Sequence, residues 1–264
     1  MNIATCILAG VLAGPLSAEA VAHFRQRGWV KATDLLEPQA AAQVTLWTGE
    51  ITALPELPGR HMVYREPAPG AEGQTQLQRV ENFCPYHPQM DELVRRGALA
   101  QAVMQLLDGP ALLFKDKSNY KLPGGAGFEL HQDQQAGWSR YAPLFVTAMV
   151  SVDRATIANG CLEIADMPRA TAMLGQEWKP LTLAELGGAA LTSVPTEPGD
   201  VIFFDSYVAH ASQRNFSNDS RRILYLTYNR QADGDHRARY FADKRQSFPP
   251  DIEREPGKEY RFRV

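Results

Sequence analysis

Phe128-Glu129-Leu130-His131-Gln132-Asp133 alternates apolar and polar residues, the pattern of a strand with one buried face. In a strand, side chains at positions i and i+2 project to the same side, so His131 and Asp133 are expected to face one point in space. A histidine and an aspartate at this spacing often form only a hydrogen-bonded surface pair. The interpretation of the pair therefore depends on what lies further along the chain.

A second histidine, His210, lies 79 residues further on, shortly after the apolar run Val201-Ile202-Phe203-Phe204. Because the turn residues Pro198-Gly199 precede it, this run predicts another strand. Two imidazoles and one carboxylate brought together at strand ends form a facial set of ligands that leaves positions free on Fe(II). His131, Asp133 and His210 are therefore the predicted metal ligands.

Two adjacent arginines, Arg221 and Arg222, open a third strand pattern that continues through Ile223-Leu224-Tyr225-Leu226-Thr227-Tyr228. Side chains alternate along a strand, so one of the two arginines must point inward. A buried charge without a partner costs several kcal/mol, and an inward arginine therefore needs an anion. A dicarboxylate held through the planar guanidinium fork would satisfy it.

The order His-x-Asp, then His-x-Ser, then an arginine eleven residues after the second histidine resembles the phytanoyl-CoA dioxygenase family of Fe(II)/2-oxoglutarate oxygenases. The resemblance spans about residues 16–230. It implies a mainly β fold with flanking helices, built on a double-stranded β-helix, the jelly-roll core also found in cupins. It further implies that Fe(II), 2-oxoglutarate and O2 are the cofactor and co-substrates, that Arg221 and Ser212 bind the distal carboxylate of 2-oxoglutarate, and that Gln132 lies near it.

Three segments, 114–125, 131–138 and 228–235, are more narrowly similar to bacterial 2-aminoethylphosphonate dioxygenases. That resemblance implies hydroxylation of 2-aminoethylphosphonate at C1, the carbon that bears phosphorus, to give 2-amino-1-hydroxyethylphosphonate with release of succinate and CO2. Asp133 supports hydroxylation, since radical halogenases of related fold lack this carboxylate.

Alternation along the predicted strand after Ala111 puts a set of polar side chains on one face, namely Lys115, Lys117, Asn119 and Lys121. A phosphonate has nearly two negative charges and three acceptor oxygens, so it favours lysine or arginine with neutral donors. Such lysines also serve simply to protect an exposed strand edge. We assign Lys117 to 2-oxoglutarate, and the remaining three to the substrate.

Two aromatic residues that follow the His-x-Asp motif, Trp138 and Tyr141, are either packing residues or a lid over the metal. Asn229, beyond the arginine strand, is a further candidate for contact with the substrate. We include all three among the predicted substrate residues.

Composition limits the kind of partner. The chain has 264 residues and a net charge of −3, with basic and acidic residues interspersed, which does not favour nucleic-acid binding and leaves a small molecule as the expected partner. The three cysteines, Cys6, Cys84 and Cys161, have no zinc-site spacing and do not suggest a disulfide scaffold, so a reducing cytoplasm is expected. The sequence does not indicate an oligomeric state.

We expect one domain over residues 1–264, with a helical part at about 16–107, a jelly-roll core at about 111–230 and a C-terminal extension at 231–264. The apolar stretch 7–14 lacks a positive flank and is too short to cross a membrane, so we expect neither a signal peptide nor a membrane span. Predicted helices run from the cap at Ser17 to the stop at Gly28, from Pro38 to about Thr48, and near 89–96 and 98–107. Predicted strands cover 111–116, 128–133, 144–153, 160–165, 201–205 and 221–229, with shorter ones at 62–64 and 77–80 in a long loop.

Two other functions remain open at this level. A related hydroxylase could act on another small zwitterion, such as trimethylaminoethylphosphonate or an ectoine-like compound, and a quaternary ammonium would then favour an aromatic cage. A non-redox cupin-like isomerase or binding protein is the second alternative, but it would have no need of Arg221 at its spacing.

Overall fold

The computed structural model describes residues 14–260, so the apolar N-terminal stretch falls outside them except for Gly14. The helices are α1 (Ala18–Arg27), α2 (Pro38–Thr52), α3 (Pro88–Arg95), α4 (Gly97–Leu107) and α5 (Arg237–Ser247). The strands are β1 (Trp29–Ala32), β2 (Met62–Pro67), β3 (Thr75–Glu81), β4 (Ala111–Lys121), β5 (Phe128–His131), β6 (Phe145–Ser151), β7 (Leu162–Ala165), β8 (Leu191–Val194), β9 (Val201–Asp205), β10 (His210–Ser212) and β11 (Arg221–Arg230). Within this part of the chain, no helix combines the length and apolar character that a membrane crossing requires.

The strands form two antiparallel sheets that together enclose a cavity. The larger sheet has the order β1-β9-β6-β11-β4-β3-β2, and the smaller has the order β5-β10-β7-β8. Some neighbours come from distant parts of the sequence, such as β4 beside β11 and β5 beside β10, as in a jelly roll. The predicted double-stranded β-helix is confirmed.

Alternation along β11 separates two layers of the core. Leu224 and Leu226 belong to the cluster that also contains Phe24 of α1 and Val103 of α4, so the helices cover the outer face of the larger sheet. Ile223 belongs instead to the cluster between the sheets. One strand thus joins the helical layer to the interior of the barrel.

The first two helices begin where the sequence predicted. Ser17 Oγ accepts a hydrogen bond from the backbone N–H of Ala20, and Gly28 ends α1 in the left-handed conformation at φ 79°. Helix α2 begins at Pro38 but continues to Thr52, one turn beyond the predicted end. Burial of Ile51 against the core stabilises this additional turn.

Several elements were not predicted because they are too short or too polar for a periodic pattern. β1 was not predicted, whereas the short strands predicted at 62–64 and 77–80 lie within β2 and β3, which join the larger sheet. β8 and β10 have only four and three residues. The C-terminal extension forms α5, which is polar apart from its buried Tyr240 and Phe241.

Two strands, β4 and β5, end at residues other than those predicted. β4 runs on to Lys121, five residues beyond its predicted end, and β5 ends at His131 instead of continuing to Asp133. The thiols of Cys84 and Cys161 are free and buried, whereas Cys6 lies outside the described residues.

Candidate metal and co-substrate site

The structure brings the three predicted metal ligands to one point. One ligand atom from each of His131, Asp133 and His210 lies within 4.8 Å of the other two. The two histidines face each other across β5 and β10, with ring centroids 4.3 Å apart. Gln132 keeps an extended backbone (φ −108°, ψ 134°), so Asp133 still points to the same side as His131 although the strand has ended.

Backbone carbonyls orient both imidazole rings. Nδ1 of His131 lies 2.7 Å from the carbonyl oxygen of Glu129, and Nδ1 of His210 lies 2.9 Å from that of Val208. An imidazole that donates from Nδ1 presents the lone pair of Nε2, which is the usual arrangement of a metal-bound histidine. The rings are thus oriented to bind a metal in the centre.

The protonation states of the three ligands also fit a divalent metal. Burial lowers the pKa of His131 to about 3, assisted by His210, and burial likewise lowers the pKa of His210. Burial alone would raise the pKa of Asp133, but His210, His131 and Lys117 outweigh it and hold that pKa below its usual value. Neutral imidazoles and an ionised carboxylate are the forms that ligate Fe(II).

Arg221 is the inward arginine of the adjacent pair. Its side chain is among the largest fully buried ones, and within residues 14–260 its Nε and Nη1 find no hydrogen-bond acceptor. Burial lowers the pKa of this guanidinium. Arg222 points the other way and forms a two-point ion pair with Asp153 at 2.8 Å. Two unsatisfied, buried N–H groups are the donors that a carboxylate of 2-oxoglutarate requires.

Ser212 and Lys121 lie at the same end of the site. Nζ of Lys121 donates to Oγ of Ser212 at 2.8 Å and to the carbonyl oxygens of Gly160 and Gln213 at 3.2 and 2.5 Å. Burial, and then the nearby Arg221, lower the pKa of Lys121 to about 7. Lys121, one of the lysines predicted to contact the substrate, therefore bonds to Ser212 at the end of the site where Arg221 lies.

The cavity beside the metal ligands, which we call the inner cavity, is lined from both sheets. Its wall consists of Lys115, Lys117, Asn119, Phe128, His131, Asp133, Trp138, Thr147, Leu162, His210, Ala211, Ser212, Tyr225 and Thr227. Among the predicted substrate and co-substrate residues, Lys115, Lys117, Asn119, Trp138 and Ser212 thus reach it.

Besides Arg221 and Lys121, three other predicted residues do not line this cavity. The Gln132 amide donates to the carbonyl oxygens of Tyr207 and Ala172 and accepts from the backbone N–H of Leu174, so it holds neighbouring loops. Asn229 donates to the carbonyl oxygens of Arg230 and Gly234, beyond the far end of the wall.

Tyr141 is the third of these residues. Its hydroxyl donates to Asp243 at 2.7 Å, and its ring packs against Phe114 and Tyr240. Tyr141 is therefore a packing residue, and the lid over the metal that the sequence suggested is not formed by it.

The sequence reasoning missed three polar residues of the wall: Tyr225, Thr227 and Thr147. Tyr225 and Thr227 follow Arg221 at even spacing on β11, so strict alternation from the inward arginine would have found them. Thr147 lies opposite Thr227 on β6, with the two hydroxyl oxygens 2.9 Å apart. Only the pairing of the strands reveals Thr147.

The lysines of the inner cavity belong to a larger basic group. Lys117 lies opposite Glu81 in the pairing of β4 with β3, and Nζ of Lys244 lies 2.5 Å from Oε2 of Glu81. Burial opposes the charge on Glu81, but Lys244 and Lys115 outweigh it and lower the pKa of this carboxyl. Arg79 pairs with the other Glu81 oxygen at 3.2 Å, so four basic side chains surround one buried carboxylate.

Comparison with known proteins agrees with this geometry. The model of the phytanoyl-CoA dioxygenase (PhyH) family matches residues 24–223. The chain is 39% identical over 240 residues to the 2-aminoethylphosphonate dioxygenase of uncultured bacterium HF130_AEPn_1, covering 90% of this chain and 91% of that protein. It is 34% identical over 227 residues to the methylphosphonate hydroxylase of Gimesia maris, covering 86% and 85%.

Solved structures support the fold. The crystal structure of EctD from S. alaskensis with 2-oxoglutarate and 5-hydroxyectoine superposes with a TM-score of 0.71 at 24% identity, covering 83% of this chain and 78% of that one. A family match over most of the chain and two relatives above 30% identity show that the protein belongs to the phytanoyl-CoA dioxygenase family and is an Fe(II)- and 2-oxoglutarate-dependent dioxygenase.

Proposed function

We propose that the protein hydroxylates a small phosphonate, with 2-aminoethylphosphonate as the first candidate and C1 as the position of the new hydroxyl. The observation that carries the proposal is the pair Lys115 and Lys117 on the inner wall beside His131 and Asp133. The 2-aminoethylphosphonate dioxygenase at 39% identity supports the same substrate class.

The charge and donor pattern of the inner cavity suits a phosphonate. Lys115 and Lys117 supply basic groups, and Asn119, Thr147 and Thr227 supply neutral polar groups on adjacent strands. A phosphonate carries nearly two charges on three oxygens, so it makes several charge-assisted hydrogen bonds at once. Burial in the barrel strengthens each of them.

Different residues then carry out binding and orientation. His131, Asp133 and His210 would hold Fe(II), and Arg221 with Ser212 would hold the distal carboxylate of 2-oxoglutarate. When bound, iron and 2-oxoglutarate would supply the oxidative chemistry by which O2 hydroxylates a substrate C–H bond, with succinate and CO2 as the other products. Lys115 and Lys117 fix the phosphonate so that the adjacent carbon faces the metal. The enclosed barrel limits the access of water.

Methylphosphonate is the second candidate substrate. Within residues 14–260, Asp133 is the only acidic residue in the wall of the inner cavity. A primary ammonium would need a carboxylate partner, whereas methylphosphonate needs none. The methylphosphonate hydroxylase at 34% identity adds support for this candidate.

The aromatic cage that a quaternary ammonium would need is less well supported. Trp138 lines the inner cavity, but Lys115 Nζ lies 5.4 Å from its ring centroid, and Tyr141 faces elsewhere. A cation held near that ring already occupies the position that a trimethylammonium group would prefer.

Succinate release with a panel of substrates tests the proposal. Purified enzyme with Fe(II), 2-oxoglutarate and O2 is given 2-aminoethylphosphonate, methylphosphonate, trimethylaminoethylphosphonate or ectoine, and succinate and hydroxylated product are measured. We expect stoichiometric coupling with one of the first two compounds. Coupling with ectoine alone, or with none of the phosphonates, would contradict the proposal. The matched control is Asp133→Ala, which should abolish coupling with every substrate.

A further inference from the structure

A second, larger cavity, which we call the outer cavity, adjoins the metal site. It has a volume of about 210 Å³ and is lined by Tyr64, Arg65, Gln78, Arg79, Gly127, Phe128, Glu129, His131, Pro180, Phe248 and Arg254. Phe128 and His131 belong to the walls of both cavities. A molecule in the outer cavity therefore lies next to a metal ligand.

Part of the C-terminal extension forms one wall of the outer cavity. The hydroxyl of Tyr64 donates to the carbonyl oxygen of Phe248 at 2.9 Å, and their rings stack with centroids 5.3 Å apart. The backbone N–H of Arg65 donates to Asp251 at 2.7 Å, and that of Gly59 donates to a Glu253 carboxylate oxygen at 2.7 Å. These bonds attach the segment 248–254 to β2 and to the loop that precedes it.

Two arginines surround the Phe248 ring in this wall. The guanidinium carbon of Arg254 lies 4.8 Å from the ring centroid, and that of Arg79 lies 5.5 Å from it and 4.4 Å from the Tyr64 ring. Aromatic stacking holds each guanidinium plane in one orientation, and the group keeps its positive charge there. Arg254 also pairs with Asp251 at 3.0 Å through Nη1, which is one of its donor groups.

Basic side chains lie between the outer cavity and the inner one, where they outnumber the buried carboxylate of Glu81. Arg79 lies opposite Asn119 in the pairing of β3 with β4, and Asn119 lines the inner cavity. Lys117 and Lys115 follow on the same face of β4. Only one acidic residue, Glu129, belongs to the wall of the outer cavity in the part of the chain that the structure describes. Such an arrangement attracts a dianion and leads it towards the metal.

We propose that Arg79 and Arg254, held against Phe248, form a receiving subsite for the phosphonate group, and that segment 248–254 of the C-terminal extension is part of the substrate site. This inference rests on the proposed phosphonate function. The subsite raises the rate at which the dianion reaches the inner cavity and adds to its affinity, without contact with 2-oxoglutarate.

The test uses Arg254→Gln, because Arg254 is only partly buried and its replacement leaves Arg79 and Glu81 in place. We expect the KM for the phosphonate to rise about three- to tenfold, with kcat and the KM for 2-oxoglutarate changed less than about twofold. The dependence of kcat/KM on NaCl concentration should become less steep, since a charge that guides the substrate has been removed. Arg254→Lys keeps the positive charge, so the dependence of its kcat/KM on NaCl concentration should remain close to that of the wild type.

The matched control is Arg96→Gln, which removes one positive charge from a side chain that is 77% exposed at the end of α3. If Arg254→Gln and Arg96→Gln behave alike, or if Arg254→Gln raises the KM for 2-oxoglutarate as much as that for the phosphonate, the receiving subsite does not exist. Thermal unfolding of each variant distinguishes a local effect from a loss of folded protein.

Binding without turnover separates this inference from the proposed function. Methylphosphonate is titrated by calorimetry into the Fe(II)/2-oxoglutarate enzyme without O2. Weaker binding by Arg254→Gln than by Arg96→Gln supports the subsite, and no binding by the wild type overturns it. The proposed function fails separately, when the wild type binds a phosphonate but releases no succinate with any of them.

Discussion

Lys121 and Arg221 lie directly opposite each other in the pairing of β4 with β11, and both are almost completely excluded from solvent. Like charges at facing positions destabilise a sheet. Lys121 is satisfied by Ser212 and two carbonyl oxygens, whereas Nε and Nη1 of Arg221 have no acceptor among the described residues. This end of the barrel is therefore arranged to receive an anion, and we propose that the distal carboxylate of 2-oxoglutarate is that anion.

Replacement of Lys121 by Met should weaken 2-oxoglutarate binding about tenfold or more, because a hydrogen-bonding charge near the carboxylate site is worth roughly 1.5–3 kcal/mol. Calorimetric titration of the Fe(II) enzyme without O2 measures the dissociation constant. Lys179→Met, at an exposed position, is the control. An unchanged dissociation constant in Lys121→Met would show that Ser212 and Arg221 suffice.

Exchange of Arg221 for Lys should be far more harmful than the same exchange at Arg222. Arg221 presents a planar fork inside the barrel, which an ammonium cannot replace, while Arg222 pairs with a half-buried Asp153 on the outer side. We expect a loss of 2-oxoglutarate affinity of about 100-fold for Arg221→Lys and less than about threefold for Arg222→Lys. Equal losses in the same titration would contradict the assigned directions of the two side chains.

The binding of 2-oxoglutarate should take up a proton above neutral pH. In the free protein the pKa of Lys121 is about 7, so its ammonium is largely deprotonated at pH 8 to 9. A carboxylate bound nearby favours the charged form and raises that pKa, so binding shifts Lys121 towards the protonated state. Calorimetry at pH 8.5 in buffers of different ionisation enthalpy measures the uptake, which should be smaller in Lys121→Met than in the wild type. Burial also lowers the pKa of Lys117 to about 7, so this second lysine accounts for any uptake that remains. Proton release on binding would have the opposite sign to this prediction.

Removal of a metal ligand should abolish metal-dependent stabilisation. A metal that binds only the folded state at 100 times its dissociation constant stabilises it by about 2.7 kcal/mol. We expect Fe(II), added without O2, to raise the melting temperature of the wild type but not of His131→Ala or His210→Ala. His23→Gln, at an exposed helix position, should respond as the wild type does. A full response in both ligand variants would refute the metal site.

Gln132 should matter for stability more than for binding. Its amide makes three hydrogen bonds to backbone groups and is completely buried. Gln132→Ala should lower the free energy of unfolding by about 2–4 kcal/mol, since buried backbone groups lose their partners. Urea unfolding measures the change, and titration should show an unchanged 2-oxoglutarate affinity in the folded fraction. A stable variant with weak 2-oxoglutarate binding would instead support the role expected from the sequence.

The common direction of His131 and Asp133 could be predicted because it depends on local order. Side chains alternate in any extended backbone, and they do so from His131 to Asp133 although β5 ends at His131. The inward direction of one arginine follows from the same rule. The spacing between His210 and Arg221 then indicated a resemblance to a known family, and that resemblance implied the fold.

The roles of Gln132, Tyr141 and Lys121 could not be predicted in this way. Each has the chemistry of a binding residue, but each finds a partner that is remote in the sequence: Gln132 bonds to Tyr207, Tyr141 to Asp243, and Lys121 to Ser212. The alternation of side chains along a strand predicts the side to which a group points. It does not predict the hydrogen-bond partner that the group finds there. The same limit concealed Thr147, which reaches the cavity wall only through its pairing with Thr227.

Alternation along the chain was thus enough to predict that His131 and Asp133 face one point and that one of the two arginines points inward, because these depend on backbone geometry within a few residues. The barrel and the choice of Arg221 followed from the resemblance to a known family. The composition of the cavity walls depends on the tertiary structure, in which β3, β4 and β11 lie side by side and segment 248–254 packs against β2. That difference is physical: an extended backbone sets the direction of a side chain locally, whereas its hydrogen-bond partner and its burial depend on strands brought together from distant parts of the chain.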